Sequence, residues 1–142
     1  MTTKETVQIE VSRRIAATPE QVYDAWLDPE SLGRWLFATP DGKMEHCEVD
    51  ARVGGGFRLD ERRGDELAEH WGTYVELDRP RRLAFDFGTS FEETPTWVTV
   101  TIAPEREGSL VTLHHEGVWA DYEKRTRHGW GMILDSLART LE

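Results

Sequence analysis

Cysteine, basic charge and long apolar runs are all scarce in this chain of 142 residues. The single cysteine, Cys47, excludes an internal disulfide framework and fits a reducing compartment. Apolar runs reach only a few residues, far short of the ~20 that a membrane-spanning helix needs. The opening MTTKETVQIEV lacks the apolar core of a signal peptide and passes directly into an alternating pattern. Together these absences predict a cytoplasmic protein with no membrane partner. Lys and Arg number 17 against 27 Asp and Glu, giving a net charge of -10. Such a field repels a polyanion unless a local basic patch overrides it. The candidate patches, ERR at 61–63 and RPRR at 79–82, sit beside acids and turn residues. They read as solvated hairpin ends, and nucleic acid is not an expected partner.

Reactive spacings are missing too. Cys47 with His46, His70 and the pair His114 and His115 show neither the Cys-x-x-Cys nor the His-x-x-x-His spacing of a zinc site, so no metal is expected. Cys47 alternates with Glu45 and Val49 on a strand, and its neighbour His46 falls on the opposite face, which leaves the thiol without an activating partner. Ser31 and Ser136 read as helical and solvated, and no Ser/His/Asp arrangement stands out. The stretch VGGGFRLDE at 53–61 places Gly54, Gly55 and Gly56 before an alternating strand pattern. A phosphate loop needs its glycines between a strand and a helix, and no lysine follows at the required spacing. These glycines instead predict a bend or bulge that shapes the sheet and a cavity beside it. No cofactor is expected.

What is present is a clear alternation of periods. Val7, Ile9, Val11 and Ile15 share one face of a strand over 6–15, with Arg13 on that same apolar face. Thr18, Pro19 and Gln21 then form a helix start with a capping box, and Asp28-Pro29 ends this helix and begins a second short one. After TPDG at 39–42 the chain reads as strands near 44–50, 56–63, 68–78, 81–88, 96–104 and 109–117, joined by tight turns and therefore antiparallel. From Asp121 onward Trp130, Ile133, Leu134, Leu137, Ala138 and Leu141 recur at helical steps, an apolar stripe suited to packing on a sheet. The expected architecture is one α+β domain over residues 1–142, in the order strand, two helices, antiparallel meander, long helix.

The segments VSRRIAATPEQVYDAWLDPESLGRW, DARVGGGFRL, GTYVELDRPRRLAFDF, VTLHHEGV and HGWGMILDSLARTL, in that order, resemble single-domain bacterial relatives of the activator of the ninety-kilodalton heat-shock chaperone's ATPase. Those relatives belong to the START-like, birch-pollen-allergen-like (SRPBCC) superfamily. The resemblance spans about Val7 to Leu141. It implies a helix-grip fold: a curved antiparallel sheet of about seven strands round the C-terminal helix, with a hydrophobic cavity between them. One departure concerns the segment after the second helix. Many relatives carry a Trp-Trp-Gly-Pro type sequence there; this chain reads RWLFATPDG, with Leu36 and Phe37 in place of the usual residues.

Fourteen aromatic residues, 6 Trp, 5 Phe and 3 Tyr, are a rich supply for one small domain. Each buries ~150–250 Å² in a core, yet aromatics round an unfilled concavity also make a small-molecule site. Trp35, Phe57, Tyr74, Phe85, Phe87, Trp97 and Trp130 are the expected lining, with Met132 as an adaptable neighbour. His115, on a face with Val111 and Leu113, is either a hydrogen-bonded core residue or a proton-transfer or anchoring group. Arg13 is either paired with a carboxylate of the protein or placed to hold an anionic ligand head. Three functions compete: a binder of a hydrophobic or amphipathic small molecule, a chaperone-interacting domain, and a polyketide cyclase/dehydrase-like enzyme polarising a carbonyl with His115 or Arg13. The chain is expected as a monomer or homodimer.

Overall fold

The computed structural model describes residues 5–36, 42–89 and 96–142. Phe37 and most of the TPDG turn lie outside the described residues. β1 (Thr6–Ile15) leads into α1 (Pro19–Ala25) and α2 (Pro29–Trp35), and six strands follow: β2 (Lys43–Val49), β3 (Gly56–Arg63), β4 (Glu66–Asp78), β5 (Arg82–Thr89), β6 (Thr96–Glu105) and β7 (Gly108–Trp119). A single 3-10 turn, Ala120–Tyr122, then enters α3 (Glu123–Leu141). The seven strands form one sheet in the order β1-β7-β6-β5-β4-β3-β2, with every neighbouring pair antiparallel. This is the expected curved sheet gripping a long C-terminal helix, with two short helices after the first strand.

Local chemistry accounts for the element ends. The Thr18 hydroxyl accepts from the Gln21 amide at 3.2 Å while the Gln21 side chain accepts from the Thr18 amide at 2.9 Å, a complete capping box. Asp28 caps α2 by accepting from the Glu30 amide at 3.1 Å, and Pro29 fills a first-turn position that has no partner for an N–H. Register shifts at Val7/Ile9, Met44/His46 and Tyr74/Glu76 each bend their strand, which curves the sheet toward the helices.

The three glycines close the β2–β3 hairpin and lash it to β4. Gly54 has φ +89, and its amide donates to the Tyr74 carbonyl at 2.9 Å; the Tyr74 amide donates to the Gly55 carbonyl at 2.8 Å. A Cβ on Gly55 would sit 2.4 Å from the Asp50 carbonyl oxygen. Close backbone approach, and at Gly54 a left-handed dihedral, therefore require glycine here.

α3 lies along the edge strand β1. Arg13 Nε donates to Asp135 at 2.7 Å, Arg127 donates to the Glu10 carbonyl at 2.9 Å, and the Ala16 amide donates to Glu142 at 3.0 Å. The predicted stripe faces inward: Trp130, Leu134, Leu137 and Ala138 are buried, with Ile133 and Leu141 packed against them. The core thus lies between the concave sheet face and all three helices.

Candidate ligand-binding site

Period-two geometry sends Phe57 of β3, Tyr74 of β4, Phe85 and Phe87 of β5 and His115 of β7 to the concave face, where Trp35 of α2 and Trp130 of α3 meet them. Seven of the ten expected lining residues are therefore gathered in one interior cluster. Trp26 of α1 joins them, its ring centroid 4.6 Å from Trp35 at an interplanar angle of 83° and 6.5 Å from Phe85. Phe85 touches Phe57 edge-on at 5.1 Å and Tyr74 at 6.4 Å. Through Phe87, at 6.5 Å from Phe85, the chain of rings continues to Trp130 and His115. Edge-to-face contacts of this kind are the favoured arrangement of aromatic quadrupoles.

His115 is held at both ring nitrogens. The Trp130 indole N–H donates to Nδ1 at 2.9 Å, so Nδ1 carries a lone pair and the proton resides on Nε2. Nε2 meets the Thr96 hydroxyl at 2.6 Å, and that hydroxyl donates in turn to the Phe87 carbonyl at 3.3 Å. The relay fixes a neutral tautomer, and burial lowers the His115 pKa from 6.5 to about 4. An imidazole so engaged has no nitrogen free to exchange a proton with a substrate. It joins α3 to β6 and β7.

An open cleft of about 450 Å³ adjoins the cluster at the other end of the sheet. Pro29 at the start of α2, Cys47, Glu48 and Val49 of β2, Asp50 after it, Gly56, Phe57 and Arg58 of β3 and Gly72 of β4 form its walls, so that charged groups stand beside the apolar ones. Gly72 leaves room for Phe57, since a Cβ there would lie 2.5 Å from the Phe57 ring. The Cys47 thiol donates to the Pro29 carbonyl at 3.2 Å and its pKa is raised, first by burial and then by Asp28, so the sulfur is an inert wall group. Behind this wall three polar atoms are fully buried without a hydrogen-bond partner among the described residues: Trp26 Nε1, Trp35 Nε1 and the Tyr74 hydroxyl.

The remaining three expected lining residues lie elsewhere. Trp97 is 52% exposed, because Thr96, Val98, Val100 and Ile102 take the inward positions of β6. Met132 is 54% exposed, two residues round the helix from the buried Trp130. Arg13 is directed not into the cluster but to Asp135 on α3, with Glu142 at 4.0 Å. Its partners here are carboxylates of the protein, the first of its two expected readings.

Comparison with known proteins accords with this architecture. The family model described as Activator of Hsp90 ATPase homolog 1-like protein matches residues 16–142. The chain belongs to this family. Among solved structures, a protein of Chromobacterium violaceum is 28% identical over 95% of this chain and 97% of its own, with a TM-score of 0.86. An AHSA1-like protein from Aeromonas hydrophila is 27% identical over 94% of this chain and 91% of its own, with a TM-score of 0.81. A protein of unknown function from Staphylococcus aureus, 18% identical over 97% of this chain and 94% of its own, shares the fold with a TM-score of 0.87. No curated protein matches the chain.

This AHSA1-like domain also buries polar groups that the sequence reading passed over. Glu61 is almost fully buried and accepts from Arg63 Nε at 2.7 Å, while Asp60 accepts from Arg58 Nε at 3.0 Å. His70, read only as a metal candidate, lies buried beside them, stacked on Phe87 at 6.3 Å with Nδ1 3.3 Å from the Leu59 carbonyl. Burial foremost lowers its pKa from 6.5 to about 4, with Arg63 acting in the same direction. Glu61 shares a strand face with Phe57 and Leu59, so its inward direction was readable from parity alone. No three His, Cys, Asp or Glu side chains among the described residues group as metal ligands. No helix among them is long and apolar enough to cross a membrane.

Proposed function

We propose that this domain binds a hydrophobic or amphipathic small molecule between the sheet and the helices, with the cleft beside Phe57 as its mouth. The observation that carries this reading is the double position of Phe57, whose ring forms a wall of the cleft and also packs on Tyr74 and Phe85 of the aromatic cluster. A volume of about 450 Å³ lies within the ~300–1,000 Å³ of small-molecule sites, which combine apolar walls with a few polar groups. Family membership and the shared helix-grip fold support it. The test is a thermal-shift screen against lipids, flavonoids and polyketides, in which a ligand of the folded state raises the melting temperature. A Val49→Trp variant, which fills the cleft from its wall, should melt normally and lose the shift. A screen without any stabilising compound, or a shift that survives Val49→Trp, would count against the reading.

A protein partner is the second reading, favoured by the convex face. Trp71, 40% exposed, lies across Gly88, and Trp97 lies on the same face of the neighbouring β6. The family description names a chaperone ATPase activator. Stimulation of that ATPase by the wild type but not by a Trp71→Ser/Trp97→Ser variant would move this reading ahead. The cyclase-like reading has less support, since His115 and Arg13 are both engaged within the protein.

A further inference from the structure

An indole N–H can only donate, and a phenol hydroxyl can donate or accept. Leaving such a group buried and unpaired costs ~1–3 kcal/mol, so folded proteins contain few of them. Here three occur in one contiguous ring cluster: Trp26 and Trp35 on successive helices, and Tyr74 on the sheet opposite, joined through Phe85 and Phe57. Their side chains are all but completely buried.

The surroundings of these three atoms decide what could complement them. Two are obligate donors, so the complement must accept. Among the described residues no cation is left to neutralise an anion there: Arg58 lines the cleft but is paired with Asp60 and Glu69, Arg13 is committed to Asp135, and His115 is neutral with both nitrogens bonded. Burial raises the Tyr74 pKa, with Cys47, Tyr23 and Asp50 adding to it, which keeps the hydroxyl protonated. A carboxylate or phosphate would lose its water without gaining a counter-charge, which is far more costly than burying a neutral polar group. An ammonium would set its own donors against the two indoles.

Building on the small-molecule reading above, we infer that the ligand is an uncharged apolar molecule bearing a hydrogen-bond acceptor, such as a ketone, lactone or quinone, which displaces the Phe57 ring between cleft and cluster and takes one or more of the unpaired donors of Trp26, Trp35 and Tyr74 on its oxygen. The two indole N–H groups and the hydroxyl select for the acceptor, and the ring faces select for the carbon framework. The charge of the whole chain, -10, works in the same direction by repelling anions.

Three probes of one shape separate the terms: benzophenone, the hydrocarbon diphenylmethane and the anion diphenylacetate, each titrated by calorimetry. Benzophenone should bind about tenfold more tightly than diphenylmethane, the gain expected of one or two neutral hydrogen bonds, and diphenylacetate should bind weakest. Trp35→Phe and Tyr74→Phe should each narrow the ketone-to-hydrocarbon ratio. Tyr74→Phe keeps the ring and removes an unpaired hydroxyl, so its unliganded melting temperature should stay level or rise. Equal affinity for ketone and hydrocarbon would overturn acceptor recognition while leaving small-molecule binding intact. Tightest binding by the anion would overturn the neutral class. If none of the three binds while the thermal-shift screen finds a stabilising compound without an acceptor, acceptor recognition falls and the small-molecule reading stands.

Discussion

Lowering the pH from about 7.5 to about 5 should remove several kcal/mol of stability through two buried imidazoles, His70 and His115. Each has its pKa lowered from 6.5 to about 4 in the folded state, chiefly by burial. The unfolded chain therefore binds protons that the folded chain refuses. Stability from these groups is complete above pH 6.5, falls as the pH drops toward about 4, and changes little below that. A shift of this size corresponds to about 3 kcal/mol per histidine over the whole window. By about pH 5 roughly 2 kcal/mol per histidine is gone, or about 4 kcal/mol for the pair, a large share of the ~5–15 kcal/mol of a typical domain.

Urea denaturation at a series of pH values measures this directly, since the midpoint falls with stability while the slope reports exposed surface. The carboxylates held low by arginine, Asp24 by Arg79 and Glu45 by Arg62, begin to titrate only in the acid part of the range, so the upper part belongs to histidine. For His115 the cause is burial, and the geometry of the relay agrees with it, since protonating Nδ1 would set a proton against the Trp130 N–H. For His70 the local charges partly cancel, since Glu61 and Asp60 favour the cation and Arg63 opposes it. A His115→Gln variant, less stable at neutral pH, should lose only about half as much on acidification. Equal stability at about pH 7.5 and about pH 5 would refute the buried neutral state of the two histidines.

Further expectations concern single contacts. Trp130→Phe removes the donor to Nδ1 along with core volume, and should cost about 3 kcal/mol while moving the His115 titration up toward 6.5, as read by NMR. Gly55→Ala forces a Cβ to within 2.4 Å of the Asp50 carbonyl, and the hairpin shift this demands should cost about 2 kcal/mol or more in urea denaturation. Arg13→Ala breaks an ion pair whose side chains are 34% and 53% exposed, so the loss should stay within about 1 kcal/mol and shrink further in salt. The same variant should bind any small-molecule ligand unchanged, and a large loss of affinity would return Arg13 to the site.

The fold was legible because each element carried its own period. The capping box at Thr18 and Gln21, the alternation of Val7, Ile9 and Val11, and the stripe from Trp130 to Leu141 are all local signals, and each element formed where its signal lay. Trp97 and Met132 suit a pocket lining by size and chemistry, but the parity of their own elements turns both outward. Val98, Val100 and Ile102 already claimed the inward side of β6, and a helix places a residue two steps from Trp130 well away from its face. Glu61 is the converse case, a charge on the Phe57 and Leu59 face whose direction the alternation gave.

The bonding within the cluster was not legible. Trp130, Thr96 and His115 come from α3, β6 and β7, and only the folded register brings a donor to each side of the imidazole. The same holds for the three unpaired atoms of Trp26, Trp35 and Tyr74, since no residue type announces that its partner will be missing. The two outcomes divide the aromatic interior by role. Around His115 every polar atom of the relay is engaged, so that end joins helix to sheet and resists change. Toward Phe57 and the cleft three polar atoms have no partner among the described residues, so the proposed selection among ligands would fall to that end. A substitution at His115 should therefore act on stability, and one at Tyr74 on affinity.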